Sequence, residues 1–199
     1  MRAGWIAAAA ALLLAGCTSG RDFARPPSES LALGRTTYAE IVEQYGSPRR
    51  EATVVKNDRT ITIASYGYAV STADSLVGGV LPGRRARFHF VDQRLVGHDF
   101  FSSFAADATD FDETKISAIR KGTSTRAQVV GLFGPPVGVH AYPLTRREGD
   151  TALLYVYEQT RVEPRPFSAN VKTYRKELTV SLDGAGVVTD VEFSASGEK

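Results

Sequence analysis

The chain has 199 residues with a formal net charge of +2, and 43% of its residues are apolar. A charge this close to neutral argues against a nucleic-acid-binding protein, which would need a concentrated basic face. The length and the apolar content predict a globular protein of one or two small domains that buries a substantial core.

The first residues have the pattern of an export signal. Arg2 is followed by an apolar run from Trp5 to Leu14, and two small residues then precede Cys17. The run is shorter than the roughly 18 apolar residues that mark a membrane-spanning helix. Residues 1–16 are therefore predicted to be a signal peptide that the mature protein lacks.

The end of this run, Leu14-Ala15-Gly16-Cys17, resembles the lipobox of bacterial lipoproteins. The resemblance implies cleavage between Gly16 and Cys17, and covalent diacylglycerol and N-acyl lipid on Cys17. Thr18 in the next position implies sorting to the outer membrane, with the protein facing the periplasm. Cys17 is the chain's single cysteine, so no internal disulfide is expected. The alternative is a chance cysteine beside an ordinary signal peptide.

Residues 17–30 are polar, contain a proline pair and show no hydrophobic period. This composition predicts a flexible linker. At up to ~3.3 Å per residue, the linker could hold the folded part as much as ~40 Å from the lipid head groups.

An internal duplication is the most informative pattern in the rest of the chain. Residues 34–48, GRTTYAEIVEQYGSP, align without a gap on residues 122–136, GTSTRAQVVGLFGPP. The identical pairs are Gly34/Gly122, Thr37/Thr125, Ala39/Ala127, Val42/Val130, Gly46/Gly134 and Pro48/Pro136.

Each copy predicts a short amphipathic helix with a defined start and end. A threonine or serine caps the start, and Ile41, Val42 and Tyr45 in the first copy form an apolar face. The shared glycine then ends the helix in a left-handed conformation, and the shared proline prevents its continuation. In the second copy a further helix is predicted over residues 113–120.

After each helix the sequence changes to the alternating pattern of β-strands. The predicted strands cover residues 60–70, 86–92, 94–101, 151–162, 173–182 and 186–194. The whole unit is therefore predicted to be duplicated, as repeat 1 over residues 31–105 and repeat 2 over residues 106–199. The predicted fold class is α+β, with two tandem repeats, each a short helical segment packed on an antiparallel β-sheet.

The second copy resembles the outer-membrane lipoprotein family of BamE, also called SmpA/OmlA. The matching motifs are Lys121-Gly122-Thr123, Gly134-Pro135-Pro136 and the Leu182-Asp183-Gly184 hairpin. The resemblance implies a helix-on-sheet domain, and taken twice it covers nearly all of residues 31–195. BamE itself has one such domain and docks on a barrel-assembly machine. Two copies in tandem are also similar to the secreted β-lactamase-inhibitor proteins, whose paired repeats present a concave sheet to an enzyme.

The sequence shows no catalytic apparatus and no metal site, and the protein is predicted not to be an enzyme. His89, His98 and His140 have no converging ligand spacing, so surface strand positions are expected for them. The acidic stretch over residues 107–113 lacks the central glycine of a calcium loop. The glycine-rich stretch over residues 78–83 lacks the lysine of a phosphate-binding loop. No cofactor is expected beyond the covalent lipid.

Two predicted loops, residues 71–85 and 163–172, occupy equivalent positions in the repeats and exceed the length that a hairpin needs. Apolar side chains beside basic ones make them candidate partner contacts. The candidate contact residues are Leu76, Val77, Leu81, Arg84 and Phe167. The alternative is that both loops fold back over the sheet edge or are mobile.

These patterns together predict a non-enzymatic protein-binding or scaffolding lipoprotein, anchored on the periplasmic face of the outer membrane and serving envelope assembly or integrity. The expected partners are the membrane, through the lipid, and an envelope protein, with no nucleic acid. Two alternatives stay open: an inhibitor or regulator of an envelope enzyme, and a carrier of a small ligand or lipid.

Overall fold

The computed structural model describes residues 18–27, 30–71, 79–107 and 109–198. The helices are α1 (Tyr38–Tyr45) and α2 (Arg126–Phe133), with 3₁₀ segments at Ala105–Asp107 and Glu113–Ala118. The strands, in chain order, are β1 (Thr18–Ser19), β2 (Arg50–Lys56), β3 (Arg59–Val70), β4 (Val80–Leu81), β5 (Gly83–Val91), β6 (Arg94–Ser102), β7 (Gly138–Ala141), β8 (Thr151–Arg165), β9 (Ser168–Leu182) and β10 (Val188–Ser196).

The described strands all belong to one antiparallel sheet. Its order is β1-β3-β5-β6-β7-β8-β9-β10, with β2 paired to β3 and β4 paired to β8. Strands hold about half of the described residues, whereas α1 and α2 have eight residues each. The predicted fold class, α+β with two tandem helix-on-sheet repeats, is therefore wrong, because the protein is built mainly from one large antiparallel sheet.

The short strand β7 is the reason that the strands form one sheet. It pairs with β6 on one side, at Gly97 to Asp99, and with β8 on the other side, at Thr151 to Leu154. The sequence pattern did not predict this strand, because four residues that follow a proline pair show too little alternation. Backbone pairing between the two halves of the chain therefore had no signal in the sequence.

Both helices predicted from the duplicated segment are present, and their ends match. Thr37 and Thr125 cap the two starts, and each forms a capping box with the residue three positions later, Glu40 or Gln128. The closing glycines have positive φ, as expected, but their ψ is extended, so they are not in the left-handed helical conformation. Within the described ranges, no helix has the length and apolar character needed to cross a membrane.

Both helices lie on the same face of the sheet. Residues that pair across neighbouring strands have their side chains on the same face of the sheet. Phe88 pairs with His98, His98 with Val139, and Val139 with Leu153, so these four residues lie on one face. Ile41 of α1 packs in the apolar cluster that contains Phe88, and Val129 of α2 packs in the cluster that contains Leu153. The main core is thus enclosed between this face and the two helices.

The long β8–β9 hairpin takes the place of a predicted loop. A loop was predicted over residues 163–172, but the two strands pair as far as Arg165 and Ser168. Phe167 lies at the tip of the hairpin, fully exposed and with a φ of 74°. The loop prediction is wrong because cross-strand pairs, including two opposed valines, continue the ladder through this polar segment.

Residues 18–27, part of the predicted flexible linker, contact the folded body. The two residues of β1 pair with the end of β3. The ring of Phe23 packs edge-on against three rings of the apolar cluster that contains Phe88. Arg25 donates a hydrogen bond of 2.8 Å to the carbonyl oxygen of Pro136. The start of the described chain is therefore built into the sheet.

Candidate functional site

The face of the sheet opposite the helices is called the open face here. On β5 it presents Arg85, Arg87 and His89, because these residues alternate with buried core residues. On β6 it presents Phe101 opposite Arg85 and Asp99 opposite Arg87. The open face holds two features with the chemistry of a binding site, a groove and a buried cluster of histidine and aspartate side chains.

The groove has a volume of about 830 Å³ and crosses one end of the open face. Three of the lining residues on β3, Ser65, Gly67 and Ala69, have small side chains or none and so leave space above the sheet. Other lining residues come from β2, β4, β5, β6 and β8. The groove therefore spans both halves of the chain.

Three guanidinium groups surround the buried ring of Phe101. Those of Arg85, Arg87 and Arg175 lie 4.8, 5.9 and 5.0 Å from the ring centroid. These distances lie within the roughly 6 Å at which cation–π attraction acts. Glu158 forms ion pairs with both Arg85, at 3.2 Å, and Arg175, at 2.9 Å. The shared carboxylate and ring hold this basic cluster in a fixed arrangement.

The groove has a basic lining. Its described lining residues contain a single carboxylate, that of Glu158, and five arginines: Arg49, Arg50, Arg84, Arg85 and Arg87. Guanidinium groups form bidentate hydrogen bonds with carboxylates and phosphates. The arrangement is therefore suited to an acidic ligand or an acidic segment of a partner.

The predicted contact residues fall in different places. Leu81 lines the groove from β4. The guanidinium of Arg84 is held by ion pairs with Asp107, at 2.6 Å, and Asp22, at 2.7 Å. Phe167, at the hairpin tip, does not line the groove. The remaining predicted positions lie outside the described residues: Leu76, Val77, Gly16, Cys17 and the signal peptide over residues 1–16.

The expectation that the histidines occupy surface strand positions is wrong for His89 and His98, which are both buried. His98 faces the helices, whereas His89 and His140 meet Asp99 on the open face. The distance from Nε2 to Asp99 Oδ2 is 3.1 Å for His89 and 3.6 Å for His140. Arg87 donates from Nε to the other carboxylate oxygen at 2.8 Å.

Two glycines make room for this cluster. Gly97 lies between His89 and His140 in the strand register, and Gly138 lies opposite Asp99. A Cβ on Gly97 would lie 2.7 Å from Cδ2 of His140, and one on Gly138 would lie 2.8 Å from the Cα of Asp99. The missing side chains let the two imidazole rings approach to 5.0 Å between centroids.

Burial and local charges shift the pKa values in this region. Burial lowers the pKa of His89 despite the neighbouring Asp99, and it lowers the pKa of His98 to about 4. For Asp99, burial raises the pKa, but the imidazoles of His140 and His89 and the charge of Arg87 outweigh it and hold the pKa below its ordinary value. Asp99 is thus a buried carboxylate that stays ionised at neutral pH.

The sequence pattern placed His89 and His140 at surface positions, and it did not predict that they meet Asp99 or that arginines surround Phe101. For the groove, the available signal was Arg85 and Arg87, which alternate with apolar residues along one strand and so share a face. For the cluster of histidine and aspartate side chains, the available signal was Gly97 in the interior of a strand. A glycine at such a position often marks a place where another group approaches the backbone closely.

No protein-family model and no curated protein sequence matches the chain. A structural match is the crystal structure of a candidate beta-lactamase inhibitor protein from Streptococcus mutans, which is 10% identical to this chain. The match covers 83% of this chain and 91% of that chain, with a TM-score of 0.45.

Proposed function

We propose that the protein is an outer-membrane lipoprotein, anchored through lipid on Cys17 and facing the periplasm, which binds an envelope protein and is not itself an enzyme. In this proposal the groove of the open face is the binding surface. The observation that carries it is the fixed arrangement of Arg85, Arg87 and Arg175 around the ring of Phe101.

The groove fits an acidic, extended segment of a partner protein. Arg85 has half of its side chain exposed, so its guanidinium is accessible to a carboxylate from outside. Because Glu158 and Phe101 already restrict its position, binding would cost little side-chain entropy. The small residues of β3, such as Gly67, leave room for the partner's backbone.

The resemblance of the duplicated segments to the BamE (SmpA/OmlA) family supports the envelope location in this proposal. The alternative, an inhibitor or regulator of an envelope enzyme, would use the same groove and differs in what the partner is. A carrier of apolar ligands has less support, because arginine side chains line the groove.

Photo-cross-linking in cells tests the groove. A cross-linking amino acid at Ala52, which lines the groove, is expected to capture one partner protein. The same amino acid at Val55, on the same strand with its side chain on the other face, should not. The double variant Arg50→Glu/Arg85→Glu should reduce capture from Ala52 at least ~10-fold, because a like charge now faces the acidic segment.

Arg126→Glu is the matched control for this experiment, since Arg126 is an exposed arginine on α2 and lies away from the groove. Its capture yield should equal that of the wild type. Equal capture from Ala52 and Val55, or full capture by the double variant, would contradict the groove as the binding surface. A captured enzyme whose activity falls on binding would select the inhibitor alternative.

Cell fractionation tests the anchor. The wild-type protein is expected in the outer-membrane fraction, and Cys17→Ala in the soluble periplasmic fraction, because alanine has no thiol to accept the lipid. Thr18→Asp is the matched control, which by the lipoprotein resemblance should stay membrane-bound but move to the inner membrane. Unchanged membrane association of Cys17→Ala would rule out the lipid anchor.

A further inference from the structure

The open face carries a second site beside the groove. We propose that His89, Asp99 and His140 bind a divalent transition-metal cation of the Zn²⁺ class. The three residues lie on the adjacent strands β5, β6 and β7. One donor atom from each lies within 4.8 Å of the other two. Two imidazoles and one carboxylate are donors that Zn²⁺, Co²⁺ and Ni²⁺ accept.

The two separations between the carboxylate and the imidazoles agree with a coordination site, and the two imidazoles would close in on the ion from within 4.8 Å of each other. With metal–ligand bonds of about 2.0–2.1 Å, adjacent ligands of a tetrahedral ion lie about 3.3 Å apart. Asp99 Oδ2 is 3.1 Å from His89 Nε2 and 3.6 Å from His140 Nε2. The longer distance exceeds a hydrogen bond, and the buried His140 Nε2 has no hydrogen-bond partner among the described residues. A cation between the three atoms would give this nitrogen a partner.

The loop that follows β7 lies over the cluster. Asn57 donates hydrogen bonds to the carbonyl oxygens of Pro143, at 3.0 Å, and Thr145, at 2.8 Å. Leu144, between them, reaches Gly97, where a Cβ would lie 2.4 Å from Cδ1 of the leucine. An apolar side chain thus covers the space between the two imidazoles. Such shielding from water strengthens the attraction between a cation and its ligands.

Arg87 orients the carboxylate for this role. Its Nε hydrogen bond goes to Oδ1 of Asp99, which leaves Oδ2 directed at the two histidines. Hydrogen bonds of this kind fix the position of a ligating carboxylate. Because β7 joins the two halves of the sheet, a cation held here would cross-link β5, β6 and β7 at that junction. Metal binding should therefore stabilise the sheet.

Zinc titration of the full chain tests the proposal. The chain, without a histidine tag, is purified in detergent, stripped with EDTA and titrated with Zn²⁺ by calorimetry. We expect one Zn²⁺ to bind per chain, and Co²⁺ in its place to give the strong visible absorption of a low-coordinate site with nitrogen ligands. His140→Ala and Asp99→Asn should each weaken Zn²⁺ binding by more than about 100-fold, beyond the effect of an outer-shell change.

His98→Gln is the matched control, because His98 is a buried histidine beside Asp99 in sequence that faces the helices instead. It should bind Zn²⁺ as the wild type does. A second measurement needs no variant: Zn²⁺ should raise the melting temperature of the wild-type protein, because it binds the folded state. Failure of the wild type to bind one equivalent would show a metal-free ion-pair network and overturn the proposal. Loss of Zn²⁺ binding in His98→Gln equal to that in His140→Ala would also overturn it, because binding would then not depend specifically on the open-face histidines.

Discussion

Replacing Phe88 with alanine is expected to lower the free energy of unfolding by about 3–5 kcal/mol. Phe88 is fully buried on the helix-bearing face, with its ring centroid 5.3 Å from that of Tyr45 and 5.8 Å from that of Tyr66. The truncation removes these contacts and leaves a cavity between β5 and α1 that the neighbouring rings fill only in part. Urea denaturation followed by far-ultraviolet circular dichroism measures the loss.

Phe167→Ala is the control for this substitution, because it removes the same ring from the exposed tip of the β8–β9 hairpin. Its effect on the free energy of unfolding should stay within about 0.5 kcal/mol. If both variants lost the same amount of stability, the cluster of rings around Phe88 would not be the core of this half of the sheet.

Replacing Asp99 with alanine is expected to lower the free energy of unfolding by about 3 kcal/mol in the presence of EDTA. The Asp99 carboxylate is fully buried and pairs with Arg87 and His89. Removal of one member of a buried ion pair costs roughly 3–5 kcal/mol, because its partner loses its counter-charge. The lower end applies here, because the Arg87 side chain is partly exposed and can be rehydrated. Denaturation in EDTA excludes any contribution from metal.

Asp22→Ala is the matched control, since Asp22 also pairs with an arginine but at the surface. Its partner Arg84 keeps the second carboxylate of Asp107, so the loss of unfolding free energy should stay below about 1 kcal/mol. An Asp99→Ala variant as stable as Asp22→Ala would mean that the cluster contributes no stability without metal.

Local sequence signals were sufficient to predict the helices and most strands. Thr37 and Thr125 cap α1 and α2 at the predicted positions, and the shared glycines end both helices. The six predicted strands correspond to β3, β5, β6, β8, β9 and β10, with ends within about five residues of the predicted bounds, and the last two pair around Asp183, as expected. The strands that directly follow the two helices, β2 and β7, were not predicted. These features depend on neighbouring residues, and neighbouring residues are what a sequence pattern reports.

The cluster around Asp99 could not be predicted, because it depends on one irregularity in strand pairing. The turn between Val91 and Arg94 begins a register that would place Arg87 opposite His98. A shift between His89 and Phe90 instead places Arg87 opposite Asp99. A change of one residue exchanges the two faces of a strand, and the alternating pattern of β6 does not show where it occurs.

The groove could not be predicted for a related reason. Its residues come from strands far apart in the chain, such as Arg50 on β2, Phe101 on β6 and Glu158 on β8. They come together because β7 and β4 pair the second half of the chain with the first. Both connecting strands are short, with four and two residues, and have no alternation that a sequence pattern could reveal.

The pairing of β1 changes the mechanics of the proposed anchor. Thr18 pairs with Val70 and Ser19 with Ala69, so the chain enters the sheet one residue after Cys17. A lipid on Cys17 would then hold the folded body directly at the bilayer surface, without the separation of up to ~40 Å that a flexible linker would allow. Because Ala69 also lines the groove, the groove would open at the level of the lipid head groups. A partner would then meet it by lateral diffusion, as a neighbour in the same membrane.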